Sequence, residues 1–154
     1  MTIEPRDAVE RVWREQGAKL WRSLVAFTTD PDVATDAMAE AFAQALGRGD
    51  AVRDHDRWIW RASFRIAAGE LKARSRRSGE MPELSYHMPE PVADLARALA
   101  SLSPNQRAAV ALHEYADLST RDVAHILGCS QATVRVHLAQ ARKRLRPLLE
   151  ENDD

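Results

Sequence analysis

Apolar positions recur at helical spacing along most of the chain, and no stretch alternates with the period of two that marks a strand. Residues 7–28 carry Val9, Val12, Trp13, Leu20, Leu24 and Phe27 close to that spacing. Asp30-Pro31 opens a second helix, because Asp caps and Pro fits the first turn. That helix runs through Val33, Ala37, Met38, Ala41, Phe42 and Leu46 until Gly47-Arg48-Gly49 stops it. After the polar stretch RGDAVRDHD, a third helix is predicted near 56–76 on Trp58, Ile59, Ala62, Ile66 and Leu71. The pattern predicts an all-α protein.

The regularity breaks at SGEMPELSYHMPEP, where Gly79, Pro82, Pro89 and Pro91 fall within 78–91. Proline removes a backbone donor and turns the preceding residue away from the helix. This segment is read as a linker between two small helical domains, 5–77 and 92–150.

The second domain is closely punctuated. Ser103-Pro104-Asn105-Gln106 has a capping serine, proline at the first helical position and glutamine at the third, a capping box. Ser119-Thr120-Arg121-Asp122 repeats the cap, with an acid where the helix dipole favours it. The helix that follows buries Val123, Ile126 and Leu127 and ends at Gly128. Ser130 then starts a last helix with Val134, Leu138, Ala141, Leu145 and Leu148 on its apolar side. Two short helices joined through Leu127-Gly128-Cys129-Ser130 form the helix-turn-helix pattern, whose second helix enters the DNA major groove. With Val134, Leu138 and Ala141 inward, Gln131, Arg135 and either Val136 or His137 fall on the exposed side. Arg and Gln suit paired hydrogen bonds to base edges, and Arg142, Lys143, Arg144 and Arg146 further along suit phosphates.

Charge sharpens this picture. The net charge is only −1, yet residues 1–47 hold five basic and eight acidic side chains, and residues 48–77 nine and four. Residues 135–146 hold five basic side chains and no acid. Concentrated Arg and Lys is the footprint expected for a polyanion. With 45% apolar and 29% charged residues, the composition is that of a globular protein. No secretory signal or spanning segment is visible, and the single Cys129 cannot form an internal disulfide, which fits a reducing cytoplasm.

In order, these segments resemble a bacterial RNA polymerase sigma factor of the extracytoplasmic-function group. The stretch LSPNQRAAVALHEYADLSTRDVAHILGCSQATVRVHLAQARKRLRPLL is similar to that family's region 4 along its whole length, through Leu102, Pro104, Gln106, Arg107, Leu118, Ser119, Val123, Ala124, Leu127, Gly128, Ser130, Thr133, Val134, Ala141, Arg142, Leu145 and Arg146. ATDAMAEAF, residues 34–42, resembles the helix that docks on the clamp coiled coil of core RNA polymerase. HDRWIWRASFRIAAGELKARSRR, residues 55–77, resembles the tryptophan-led helix that meets the melted minus-10 element. Its basic set is Arg57, Arg61, Arg65, Lys72, Arg74, Arg76 and Arg77, while Trp58 and Trp60 are read as core or wedge residues. The resemblance implies a factor that directs core RNA polymerase to promoters and initiates transcription, in a stress or envelope response. It implies promoter contacts from Thr120, Arg121, Gln131, Thr133, Arg135, His137, Arg142, Lys143 and Arg144 at the minus-35 element, and from Arg57, Arg61, Arg65 and Lys72 at the minus-10 element. It implies polymerase contacts from Asp36, Met38 and Glu40, and an anti-sigma protein as a further partner. The chain departs from the family at Ala39, where glutamine is common, and at Arg65 and Gly69, where asparagine and aspartate are common.

Other classes of protein share parts of this pattern. A stand-alone helix-turn-helix regulator shares the C-terminal motif but has no need of residues 31–77. A sigma-like protein that binds polymerase or a regulator without initiating would account for the three departures. An enzyme has little support: there is no phosphate-binding glycine loop, His-Glu-x-x-His or Cys-x-x-Cys. His55, His87, His113, His125 and His137 lack metal-ligand spacing, so no catalytic, cofactor or metal residues are expected.

Overall fold

A computed structural model describes residues 3–78 and 90–150, and every regular element among them is helical. The order is α1 (Pro5–Thr28), α2 (Pro31–Arg48), a 3₁₀ turn at Gly49–Ala51, α3 (His55–Ser78), α4 (Glu90–Ala100), α5 (Pro104–Val110), a π-helical turn at Ala111–Tyr115, α6 (Thr120–Leu127) and α7 (Gln131–Glu150). Ser78 closes α3, and Glu90 and Pro91 open α4, while the rest of the expected 78–91 linker lies outside the described residues.

The capping chemistry takes hold where the sequence puts it. The Asp30 carboxylate accepts from the backbone N–H of Asp32 at 2.9 Å and of Val33 at 3.4 Å. Ser103 and Gln106 form the reciprocal capping box, with both bonds at 3.2 Å. The π-helical turn is a feature the periodicity does not announce. The N–H of Ala116 reaches back five residues to the Ala111 carbonyl, and Asp117 takes a left-handed φ of 55°. The Leu118 N–H then donates to the Leu112 carbonyl at 3.1 Å, and α6 begins two residues on, at Thr120.

α1, α2 and α3 pack on one another through Leu20, Leu24, Phe27, Phe42, Ile59, Trp60 and Phe64. Phe27 and Phe64 stack at 5.3 Å, and Trp60 lies nearly parallel to Phe64 at 6.4 Å. The Trp60 indole N–H donates to Gln16 at 2.8 Å, so its polar end is satisfied inside. α4 to α7 assemble around Leu99, Leu102, Leu112, Val123, Val134 and Leu138. The two groups also touch, α1 against α4, α5 and the π-helical turn, and α3 against α6.

Three residues assigned to apolar faces turn out instead, among them Leu148 of α7 at 37% exposed. Trp13 is 54% exposed and meets Phe42 in a T-shaped contact at 4.9 Å, because Val9, Val12 and Leu20 hold the centre of the buried stripe. Leu46 is 53% exposed, and the adjacent Ala45 takes the core position.

Candidate nucleic-acid interface

The helix-turn-helix is built by local rules. The Ser119 hydroxyl accepts from the Asp122 N–H at 3.1 Å and starts α6. Gly128 ends it at φ 71°, a left-handed conformation that costs glycine little. A Cβ there would meet nothing within 4 Å, so the demand for glycine is conformational and not one of space. The Ser130 hydroxyl accepts from the Thr133 N–H at 3.1 Å and pairs with the Thr133 hydroxyl at 2.9 Å. With Val123, Ala124 and Ile126 of α6 buried against Val134, Leu138 and Ala141 of α7, the rotation of α7 is fixed.

That rotation leaves Gln131, Arg135, Val136, Arg142, Lys143 and Arg144 exposed, with Thr133 and His137 half-buried. The Gln131 side-chain oxygen accepts from the Thr120 hydroxyl at 3.3 Å and from Arg135 Nη2 at 3.5 Å. Three of the expected residues thus form one linked group at the start of α7, and such pre-positioning suits paired contacts to a base. Arg142 is held by Glu114 of the π-helical turn at 2.9 Å. Arg121, Lys143 and Arg144 stand in solvent without an ion pair among the described residues. The His137 Nδ1 atom is buried without a hydrogen-bond partner, which sets it apart from the outward-facing contacts expected of it.

The second basic surface lies on α3, and its members differ in availability. Arg61 and Arg65, with Arg48 of α2, line a cavity of about 240 Å³ completed by Gln44, Trp58, Ala62 and Ile66. The Arg48 guanidinium sits 5.4 Å above the half-buried Trp58 ring, a cation–π contact. In the sequence Arg48 belongs to the Gly47-Arg48-Gly49 helix stop. Only the packing of α2 on α3 brings it beside Arg61 and Arg65. Lys72 is exposed. Arg57 is engaged by Asp54 at 3.5 Å and by Asp122 of α6 at 3.3 Å. Arg74 pairs with the buried Asp30 carboxylate at 2.7 Å and with Glu70 at 3.4 Å, so it braces the α1–α2 turn. Nothing in the structure requires glycine at position 69, where a Cβ would find open space.

The outer face of α2 carries Thr35, Asp36, Ala39, Glu40 and Ala43, and Glu40 accepts from Gln44 at 2.9 Å. Met38 is a correction to its expected surface role. It is 6% exposed and packs inward, with its methyl group 3.4 Å from where a Cβ on Gly17 would sit. It forms the floor of a groove of about 400 Å³ lined also by Trp13, Gly17, Ala18, Trp21, Thr35 and Ala39. The Trp21 indole donates to the Thr35 hydroxyl across it at 3.0 Å. The spacing of α1 suggested core for Trp13, so this α1 contribution to the surface was not legible.

Burial lowers the pKa of the Arg107 guanidinium and raises that of the Tyr115 phenol. Among the described residues no three His, Cys, Asp or Glu side chains gather to hold a metal ion, and no helix is long and apolar enough to cross a membrane.

Residues 93–145 match the family model described as sigma-70, region 4. The RNA polymerase sigma-H factor of Pseudomonas aeruginosa is 30% identical, over 86% of this chain and 83% of that protein. The ECF RNA polymerase sigma factor SigM of Mycobacterium tuberculosis is 30% identical, over 94% and 78%. The sigma factor RpoE of Bartonella quintana, solved in complex with the anti-sigma factor NepR, superposes with a TM-score of 0.81 over 94% of this chain and 98% of that one. At 22% identity, that superposition shows the shared fold. The helix-turn-helix geometry and these relatives agree: the chain belongs to the extracytoplasmic-function group of RNA polymerase sigma factors.

Proposed function

We propose that this sigma factor divides promoter recognition between its two basic surfaces and docks on core RNA polymerase through α2. As a member of its family it directs the polymerase to specific promoters and initiates transcription. In this division Gln131 and Arg135 read the minus-35 element, with Thr120, Thr133 and Arg121 beside them, and Lys143, Arg144 and Arg142 hold phosphates. Arg61, Arg65 and Lys72 meet the minus-10 strand, joined by Arg48. The acids Asp36 and Glu40 face the polymerase across the Trp13–Trp21 groove. The chain performs no chemistry of its own in this reading, acts in the cytoplasm, serves a stress or envelope response and is held by an anti-sigma protein. The observation that carries the reading is the linked Thr120–Gln131–Arg135 group at the exposed start of α7.

Charge reversal tests the docking face directly. Asp36→Arg with Glu40→Arg is expected to abolish co-elution with core polymerase while far-ultraviolet circular dichroism stays unchanged. Intact co-elution of the folded variant would remove α2 from the interface. The second reading, a sigma-like protein that binds polymerase without initiating, draws on Ala39, Arg65 and Gly69. It predicts normal co-elution and no promoter-dependent RNA.

A further inference from the structure

Periodicity allows either Val136 or His137 on the exposed side of α7, and the structure separates them. Val136 stands two positions from each of the buried Val134 and Leu138, about 160° around the helix from both. It is 52% exposed. His137 is half-buried, with its Nδ1 atom shut away from solvent and without a partner. The outward position in the second turn of α7 belongs to the valine.

Nothing local calls for a valine there. Its branched Cβ makes it a poorer helix former than alanine, and an outward position repays none of that through packing. Single exposed apolar side chains are ordinary on soluble proteins, and Leu46 is one. Val136 differs in its setting. It is the sixth residue of α7 and adjoins Arg135, in the part of a recognition helix that meets base edges. The long polar side chains around it are engaged elsewhere. Arg135 reaches back to the Gln131 side-chain oxygen at 3.5 Å, and Gln140 accepts from Gln106 of α5 at 3.1 Å. Ala132 and Ala139, one turn before and one turn after, are exposed and too short to cover the valine. Its methyl groups stand clear.

Base edges in the major groove present donors, acceptors and one apolar group, the C5-methyl of thymine. A valine set against a donor or acceptor strips water from that group and gives no hydrogen bond in return. Against the methyl, both surfaces leave water at a gain. We propose that Val136 reads the 5-methyl group of a thymine in the minus-35 element, beside the base read by Arg135. This role rests on the assignment of α7 to that element and adds to it the chemical class of one base.

Deoxyuridine provides the test, because it lacks only that methyl and pairs as thymidine does. The chain and core polymerase are bound to a duplex promoter whose start site depends on the chain. Each thymine of the minus-35 segment, on both strands, is replaced in turn by deoxyuridine. One replacement is expected to weaken binding about three- to fivefold, the worth of one buried methyl group. Val136→Ala is expected to bind the thymine and deoxyuridine promoters alike, and Val136→Ile to keep the difference. Arg135→Ala should weaken both promoters and leave their ratio unchanged. Cytosine at the same position should lower binding, and 5-methylcytosine should restore part of it. Unchanged binding at every deoxyuridine would overturn the role of Val136. So would a difference that persists in Val136→Ala, or a minus-35 segment without thymine on either strand. Those outcomes leave sequence selection by α7 in place. A chain that binds every minus-35 sequence equally would instead remove the assignment of α7, and the role of Val136 with it.

Discussion

Arg135 and Lys143 lie on one helix, and the proposed division of labour gives them different work. Arg135 shares the Gln131 side-chain oxygen one turn into α7, where a recognition helix meets base edges. Arg135→Ala is expected to weaken the preferred site by about 1–3 kcal/mol and relax preference at one base position, measured against a panel of single-base variants. Lys143→Ala and Arg144→Ala should weaken all sequences alike and reduce the salt slope, as phosphate contacts do. A uniform loss from Arg135→Ala would make it an anchor and move reading elsewhere. Asp30 carries a structural load of the same scale, capping α2 and receiving Arg74. Asp30→Ala is expected to cost about 1–3 kcal/mol in urea unfolding, since both the cap and a largely buried charge pair are lost. The cap was legible because its donors lie two and three residues away. The Arg74 partner lies 44 residues away, so Arg74 read only as one more basic side chain on α3.

At the scale of elements, every helix start signalled by Asp30, Ser103, Ser119 and Ser130 is where the sequence put it, because capping is decided by a few neighbouring residues. The π-helical turn at Ala111–Tyr115 was not legible, since it answers to packing of Leu112 and Leu118 and not to a local code. The α2 surface shows the same limit. Periodicity grouped Met38 with the apolar face, yet the resemblance drew it outward, and packing against Gly17 decides for the inside. Met38→Ala should therefore read as a core truncation, destabilising by about 2–5 kcal/mol in urea unfolding. A Met38→Ala chain of unchanged stability that loses polymerase would restore the direct contact.

Taken whole, the chain conceals two basic surfaces behind a net charge of −1, and it brings them onto one body whose helical groups share a boundary at Arg107 and Arg57. The helix-turn-helix and the helical character were readable from spacing and caps. The meeting of α1 with α5 was not, because it joins residues 80 apart with no pattern to betray it. The central claim is that this chain gives core RNA polymerase its choice of start site through two promoter elements. The most direct measurement is to sequence the 5′ ends of RNA made on fragmented genomic DNA by core polymerase, with and without the purified chain. The account predicts new 5′ ends that depend on the chain and share sequence motifs at both the minus-10 and minus-35 positions. New ends sharing no upstream motif, or none at all despite polymerase binding, would contradict it.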